Sequence, residues 1–204
     1  MFPTTQNATT NLAGMLAETQ VQTSSAGGKA FLKFDFKSGD FAFGRDLEDI
    51  TGETIVVNTY SIQHGWTLWV NGSPQKVSAP FNEALPTPME AQGGNSASES
   101  RSFEARFEDD ADTILVFDSN SHGGRSGVDS LLNAIKARAV SGETDFLFPK
   151  IKLESTSYKA KQGSTVFNPK FNIVGWVNAE GVASEDKPEA VEDAEATPVR
   201  RRRA

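Results

Sequence analysis

The chain contains no cysteine, so disulfides, thiolate chemistry and cysteine-ligated zinc are all excluded. It has two histidines, His64 and His122, without the H-x-x-x-H or H-x-D/E spacing that gathers metal ligands on one element. It carries no apolar run of about 18 residues, so no membrane span is expected. The N-terminus shows no basic segment followed by an apolar core, so no secretory leader is read there. Together these absences point to a cytoplasmic protein without metal or cofactor. A net charge of −7 argues against a chain that is basic throughout, but the charges are unevenly spread and leave room for a local basic face.

Hydrolytic chemistry finds little support. Asp118, Ser121 and His122 are the residue types of a triad, but neighbours in one turn rarely aim into one relay, and no G-x-S-x-G elbow occurs. Both histidines are read as turn or surface residues. No catalytic residue is assigned, and the chain is read as a non-enzyme.

The 204 residues suit one domain with tails. Residues 1–28, rich in Thr, Gln, Ser and Gly, read as a flexible arm. Residues 29–178 hold the domain. Its strands are expected at Ala30–Phe36, Phe41–Gly44, Thr54–Val70, Ser102–Glu108, Thr113–Phe117, Phe146–Leu153 and Thr165–Val177. His64-Gly65 should break or bulge the third of these, and Asn71-Gly72 is a tight-turn signal. Residues 73–101, holding Pro74, Pro80, Pro86, Pro88 and the run GGNSASES, read as one long loop. Pro149 and Pro169 belong at edges or bulges, because neither can donate to a ladder.

A single helix stands out. Val128, Leu131, Leu132 and Ile135 follow the i, i+3, i+4, i+7 stripe, preceded by the glycine-rich turn SNSHGGRSG with Ser126 or Asp129 as candidate caps. Such a turn could free amides for an anion, with Arg125 adding a phosphate fork, although no G-x-x-x-x-G-K-[ST] loop is present. Strands, one helix, then two more strands make the fold mainly β, compatible with an OB-like Greek-key barrel. A β-sandwich with a helical insert is the competing architecture.

The binding signal is concentrated in 145–178. Lys150, Lys152, Lys159, Lys161 and Lys170 outnumber Asp145 and Glu154, with Tyr158, Phe167, Phe171 and Trp176 between them. Lys150 and Lys152 share a strand face while Ile151 and Leu153 point inward. The segment STSYKAKQGS is read as a turn displaying Tyr158. Cations for phosphates and aromatic faces for unstacked bases are what single-stranded nucleic acid requires. Trp66 and Trp69 fall on opposite faces of a strand, one for the core and one for a platform. The predicted nucleic-acid contacts are therefore Lys150, Lys152, Tyr158, Lys159, Lys161, Lys170, Arg125, Trp66 and Trp69.

Residues 179–204 read as a disordered tail, with seven carboxylates between Glu180 and Glu195 against Lys187, then Arg200–Arg203. This arrangement resembles the single-stranded-DNA-binding proteins of bacteriophages and bacteria, which place an acidic tail after an OB-fold. The segment FPKIKLESTSYKAKQGSTVFNPKFNIVGW is also similar to stretches of phage-encoded proteins. The resemblance lies in architecture rather than in a motif. It implies sequence-tolerant binding of single-stranded DNA during phage DNA replication or recombination, in the host cytoplasm. It also implies replication or recombination partners recruited by the tail, and is compatible with a homo-oligomer. Here the tail ends in arginines instead of an aromatic residue, so its basic end could fold back on the acidic stretch. A virion component with arms that order on assembly is the alternative expectation.

Overall fold

A computed structural model describes residues 28–110, 112–160 and 163–184. The arm over residues 1–27, Lys161 and the tail from Glu185 onward lie outside the described residues. The elements in order are β1 (Lys29–Phe34), β2 (Phe41–Phe43), β3 (Glu48–Asp49), β4 (Thr54–Val70), β5 (Ser73–Pro80), β6 (Ser98–Phe107), β7 (Ile114–Ser119), α1 (His122–Val140), β8 (Phe148–Lys159) and β9 (Thr165–Val177). All nine strands join one sheet in the order β3-β2-β1-β7-β6-β4-β8-β9, with β5 on the far half of β4. The β1–β7 pair is parallel and the others are antiparallel. The domain is mainly β, its sheet curled into a half-barrel. Past the end of β1, Phe36 accepts a hydrogen bond from the Phe167 amide at 2.9 Å, so the chain that starts beside β7 finishes beside β9.

The curl rests on β4. Asn58 lies opposite Glu104 and Gln63 opposite Ser102, five steps along β4 against two along β6, so three extra residues bulge out. The Ser61 hydroxyl replaces the lost ladder contact, accepting from the Glu104 amide at 2.8 Å and donating to the Asn58 carbonyl at 2.6 Å. Three is odd, so the alternation inverts: Ile55 and Val57 face the core before the bulge, Ile62 and Leu68 after it. The expected break at His64-Gly65 is absent, and the strand runs straight through it. Asn71 and Gly72, at φ +51° and +80°, close the two-residue turn into β5. The long loop expected over 73–101 is thus cut down, because Ser73–Pro80 pairs with β4 and β6 already starts at Ser98.

Inside the curl, Phe103 and Phe117 stack at 5.2 Å, and Phe171 meets both edge-on at 5.3 and 5.1 Å. Val128, Leu131 and Ile135 of α1 close over these rings. The glycines read as a free turn ahead of the helix lie inside its first turns instead, and Ser121, not Ser126 or Asp129, is the N-cap, accepting from the Gly124 amide at 3.0 Å. Their role is close approach. A β-carbon on Gly123 would stand 2.1 Å from Asn168 Oδ1, and one on Gly127 3.1 Å from both the Phe171 ring and the Pro169 carbonyl.

Turns around the sheet are tied by side chains. Asp49 takes the Thr51 amide at 2.9 Å; that bond and the Thr51 hydroxyl hold its carboxyl below the usual range. At the far end, Asn178–Ser184 folds back on β9, the Ser184 amide donating to the Trp176 carbonyl at 2.8 Å. Pro149 flanks the β8–β9 register shift and Pro169 sits on the outermost strand of the sheet path, where neither donor is missed.

Candidate nucleic-acid interface

The β8–β9 hairpin organises the predicted contacts by strand alternation. Ile151 and Leu153 are fully buried, which sends Lys150, Lys152, Glu154, Thr156 and Tyr158 to the outer face. Across the ladder, Lys170 stands opposite Glu154, Asn172 opposite Lys152 and Val166 opposite Tyr158. Lys150, Lys152, Lys170 and Tyr158 therefore share one surface, and Tyr158 is 52% exposed there. Tyr158 projects from the strand itself, not from a turn; beyond the strand end the Ala160 amide donates to the Ser164 carbonyl at 2.9 Å. Lys159 is exposed at the strand end.

The lysines differ in how free their charge is. Lys150 Nζ sits 2.6 Å from one Glu108 oxygen and 2.7 Å from the other. Lys152 lies 3.8 Å from Glu154. Lys159 and Lys170 make no ion pair among the described residues. An exposed pair contributes at most about 1 kcal/mol, so an incoming phosphate can displace it, at the expense of affinity.

Three predicted contacts lie elsewhere. Arg125, in the first turns of α1, donates to Glu99 at 2.5 Å. Arg101 completes the network, 3.8 Å from Glu99 and 2.9 Å from Asp129. Glu99 and Arg101 share their strand face with Phe103 and Ala105, the helix side of the sheet, whereas Lys150 lines up with Val56 and Arg106 on the other side. Arg125 therefore stands apart from the lysines, its guanidinium neutralised beside a shallow groove of about 330 Å³ shared with His122, Asp129 and Asn133. Trp66 pairs with Glu99 on the helix side, half-buried, its indole donating to the Pro86 carbonyl at 2.7 Å. Trp69 points the opposite way and is 49% exposed at the β4–β5 tip. Of the two tryptophans it is the one whose ring is available.

The histidines also separate. His64, expected at the surface, is buried with its ring 4.9 Å from Phe81, because the β4 bulge turns it inward. Asp118 pairs with Lys76 at 2.5 Å and Ser121 caps α1. No metal-binding group of three or more side chains occurs among the described residues, nor any helix long and apolar enough to cross a membrane.

Sequence reasoning missed aromatic surface on other strands. Phe31 is 61% exposed on β1 and Tyr60 47% exposed in the bulge of β4. The signal for Phe31 was present in KAFLKF, where it shares parity with Lys29 and Lys33 against Leu32 and Phe34. Compared with family models, curated proteins and solved structures, the chain has no match in any of the three.

Proposed function

We propose that this chain binds single-stranded DNA without sequence preference, as a phage-type protein of replication or recombination. The observation that carries the reading is the outer face of the β8–β9 hairpin, where Lys152, Lys170 and the exposed Tyr158 ring stand together, next to Lys159. Phosphates find cations there and an unstacked base finds a π-face. Connectivity supports the same reading: β4, β6, β7, β8 and β9 follow in chain order with α1 between the third and the fourth, in sheet order β7-β6-β4-β8-β9. That succession is compatible with an OB-like barrel, with the N-terminal strand bridging the gap between β7 and β9. The acidic C-terminal segment would compete with DNA for the basic face and recruit partner proteins. Its action would be in the cytoplasm of the host.

Fluorescence quenching and anisotropy with a long oligothymidylate across a salt series test the reading. Binding should weaken steeply between about 50 and 200 mM salt. Combining Lys152→Ala with Lys159→Ala should lower the salt slope by about 1.4, the single-strand value for two phosphate contacts. Absence of binding at low salt, even for protein ending at Ser184, sinks the proposal.

The ion pair on Lys150 gives an opposite-signed test. Glu108→Gln removes the carboxylate that holds Lys150 Nζ, freeing a cation on the binding face. Affinity at low salt should rise about threefold, a fraction of the roughly 1 kcal/mol that bounds an exposed pair. An unchanged or lower affinity would remove Lys150 from the interface.

A further inference from the structure

We infer that Phe31 is a base-stacking platform, a second nucleic-acid contact point on the same side of the sheet as the β8–β9 lysines. The inference rests on the single-strand reading above and adds a site on a strand outside the β8–β9 hairpin. Phe31 is the most exposed aromatic side chain among the described residues, 61% open to solvent in the middle of a paired strand. Leu32 and Phe34 already serve the core from the same strand, so burial does not account for the ring.

The surroundings suit a flat, uncovered ring. On one side Phe31 pairs with Val116 of β7. On the other its carbonyl accepts from the Gly44 amide at 3.2 Å, and a β-carbon on Gly44 would meet no atom within 4 Å. The neighbour on that side thus carries no side chain that could cover the ring. Lys29 and Lys33 flank Phe31 two residues away in each direction, on the same face. Lys29 is held by Glu104 at 2.7 Å, whereas Lys33 makes no ion pair among the described residues. A π-face between two cations spaced along one extended strand is the pattern that takes a base with its adjoining phosphates.

The β1 site lies on the same side of the sheet as the hairpin site. Lys29 aligns with Ile114, then Arg106, Val56 and Lys150, one residue from each successive strand. Between the two sites Val56 is buried beneath Phe148 and Val177, so Phe31 forms a separate contact point on that side.

Phe31→Ala, Phe31→Leu and Phe31→Trp in the full chain, titrated with oligothymidylate at low salt, test this. Alanine and leucine should each weaken binding about tenfold, since leucine keeps the apolar bulk but loses the π-face, while tryptophan should retain wild-type affinity and add a quenchable signal. Unaltered thermal melting of the three variants separates the effect from folding. Wild-type binding that alanine and leucine leave unchanged overturns the platform and leaves the single-strand reading intact. Wild type that does not bind at all overturns that reading first.

Discussion

Phe103→Ala should cost this domain about 3–5 kcal/mol, the range for deleting a large buried aromatic side chain. Phe103 is 1% exposed and sits between two rings: Phe117, stacked at 5.2 Å, and Phe171, edge-on at 5.3 Å. Neither neighbour can collapse freely into the gap. Phe117 is fixed within β7, and Phe171 lies against the backbone of α1 at Gly127. The cavity therefore remains, and its cost adds to the lost transfer energy. Against a total stability of about 5–15 kcal/mol this is a large share. Thermal unfolding followed by circular dichroism should show Tm falling by roughly 10 °C. A drop of only a degree or two would mean that the aromatic cluster is not the mechanical centre of the sheet. Phe31→Ala, at an exposed position, should stay within about 0.5 kcal/mol of wild type.

The sequence made the main elements legible because their patterns are local. Local apolar patterns placed β1, β4, β6, β7, β8 and β9, β7 as a continuous apolar run, and the 3.6-residue stripe placed α1. The Asn71-Gly72 turn was legible for the same reason, its positive φ values being a property of two residues. What escaped depended on partners distant in sequence. β5 carries Pro74, Pro80 and polar residues and looks like a loop; it is a strand because β4 offers it an unpaired half. The HGGRSG run looks flexible, but Gly123 and Gly127 answer to Asn168 and Phe171 on β9, more than forty residues away. The bulge at Thr59–Ile62 left no glycine to mark it, because the Ser61 hydroxyl does the work of a backbone group.

The candidate site divides along the same line. Alternation within β8 put Lys150 and Lys152 on one face, a short-range inference, whereas Tyr158, expected in a turn, joins that face from the strand. Grouping Arg125 and Trp66 with them required knowing which side of the sheet the helix covers. Composition cannot supply that, and the helix covers the opposite side. Charge counting has the same weakness. Five lysines in one segment look like a basic patch until Glu108, from β6's far end, is found within 3 Å of Lys150. A tally of cations in sequence overstates the field that a phosphate would meet. Lys33, Lys159 and Lys170 are the ones that make no ion pair among the described residues.

Gly65→Ala tests how far the half-barrel depends on close backbone contact. A β-carbon at position 65 would lie 2.0 Å from the Val77 carbonyl oxygen and 2.7 Å from the Ser78 Cα. Both are backbone atoms of β5, so no side-chain rotation relieves the clash and the paired strand must move. The expected loss is about 3 kcal/mol, at the upper end for overpacking. It should fall on the β4–β5 hairpin first, because β6 still pairs with the other edge of β4. Amide exchange in Ser73–Pro80 should accelerate while β8 and β9 keep their protection. Trp69, carried at the tip of that hairpin, would lose its fixed position together with the exchange protection. Gly175→Ala gives the opposite sign from the same substitution. There the new β-carbon would meet only the Lys150 side chain, at 3.9 Å, and the backbone is not in the left-handed region. Removing freedom from the unfolded chain should then stabilise the protein by about 0.4–1 kcal/mol. Equal effects at the two positions would show that strand entropy, and not the approach of β5, decides what position 65 tolerates.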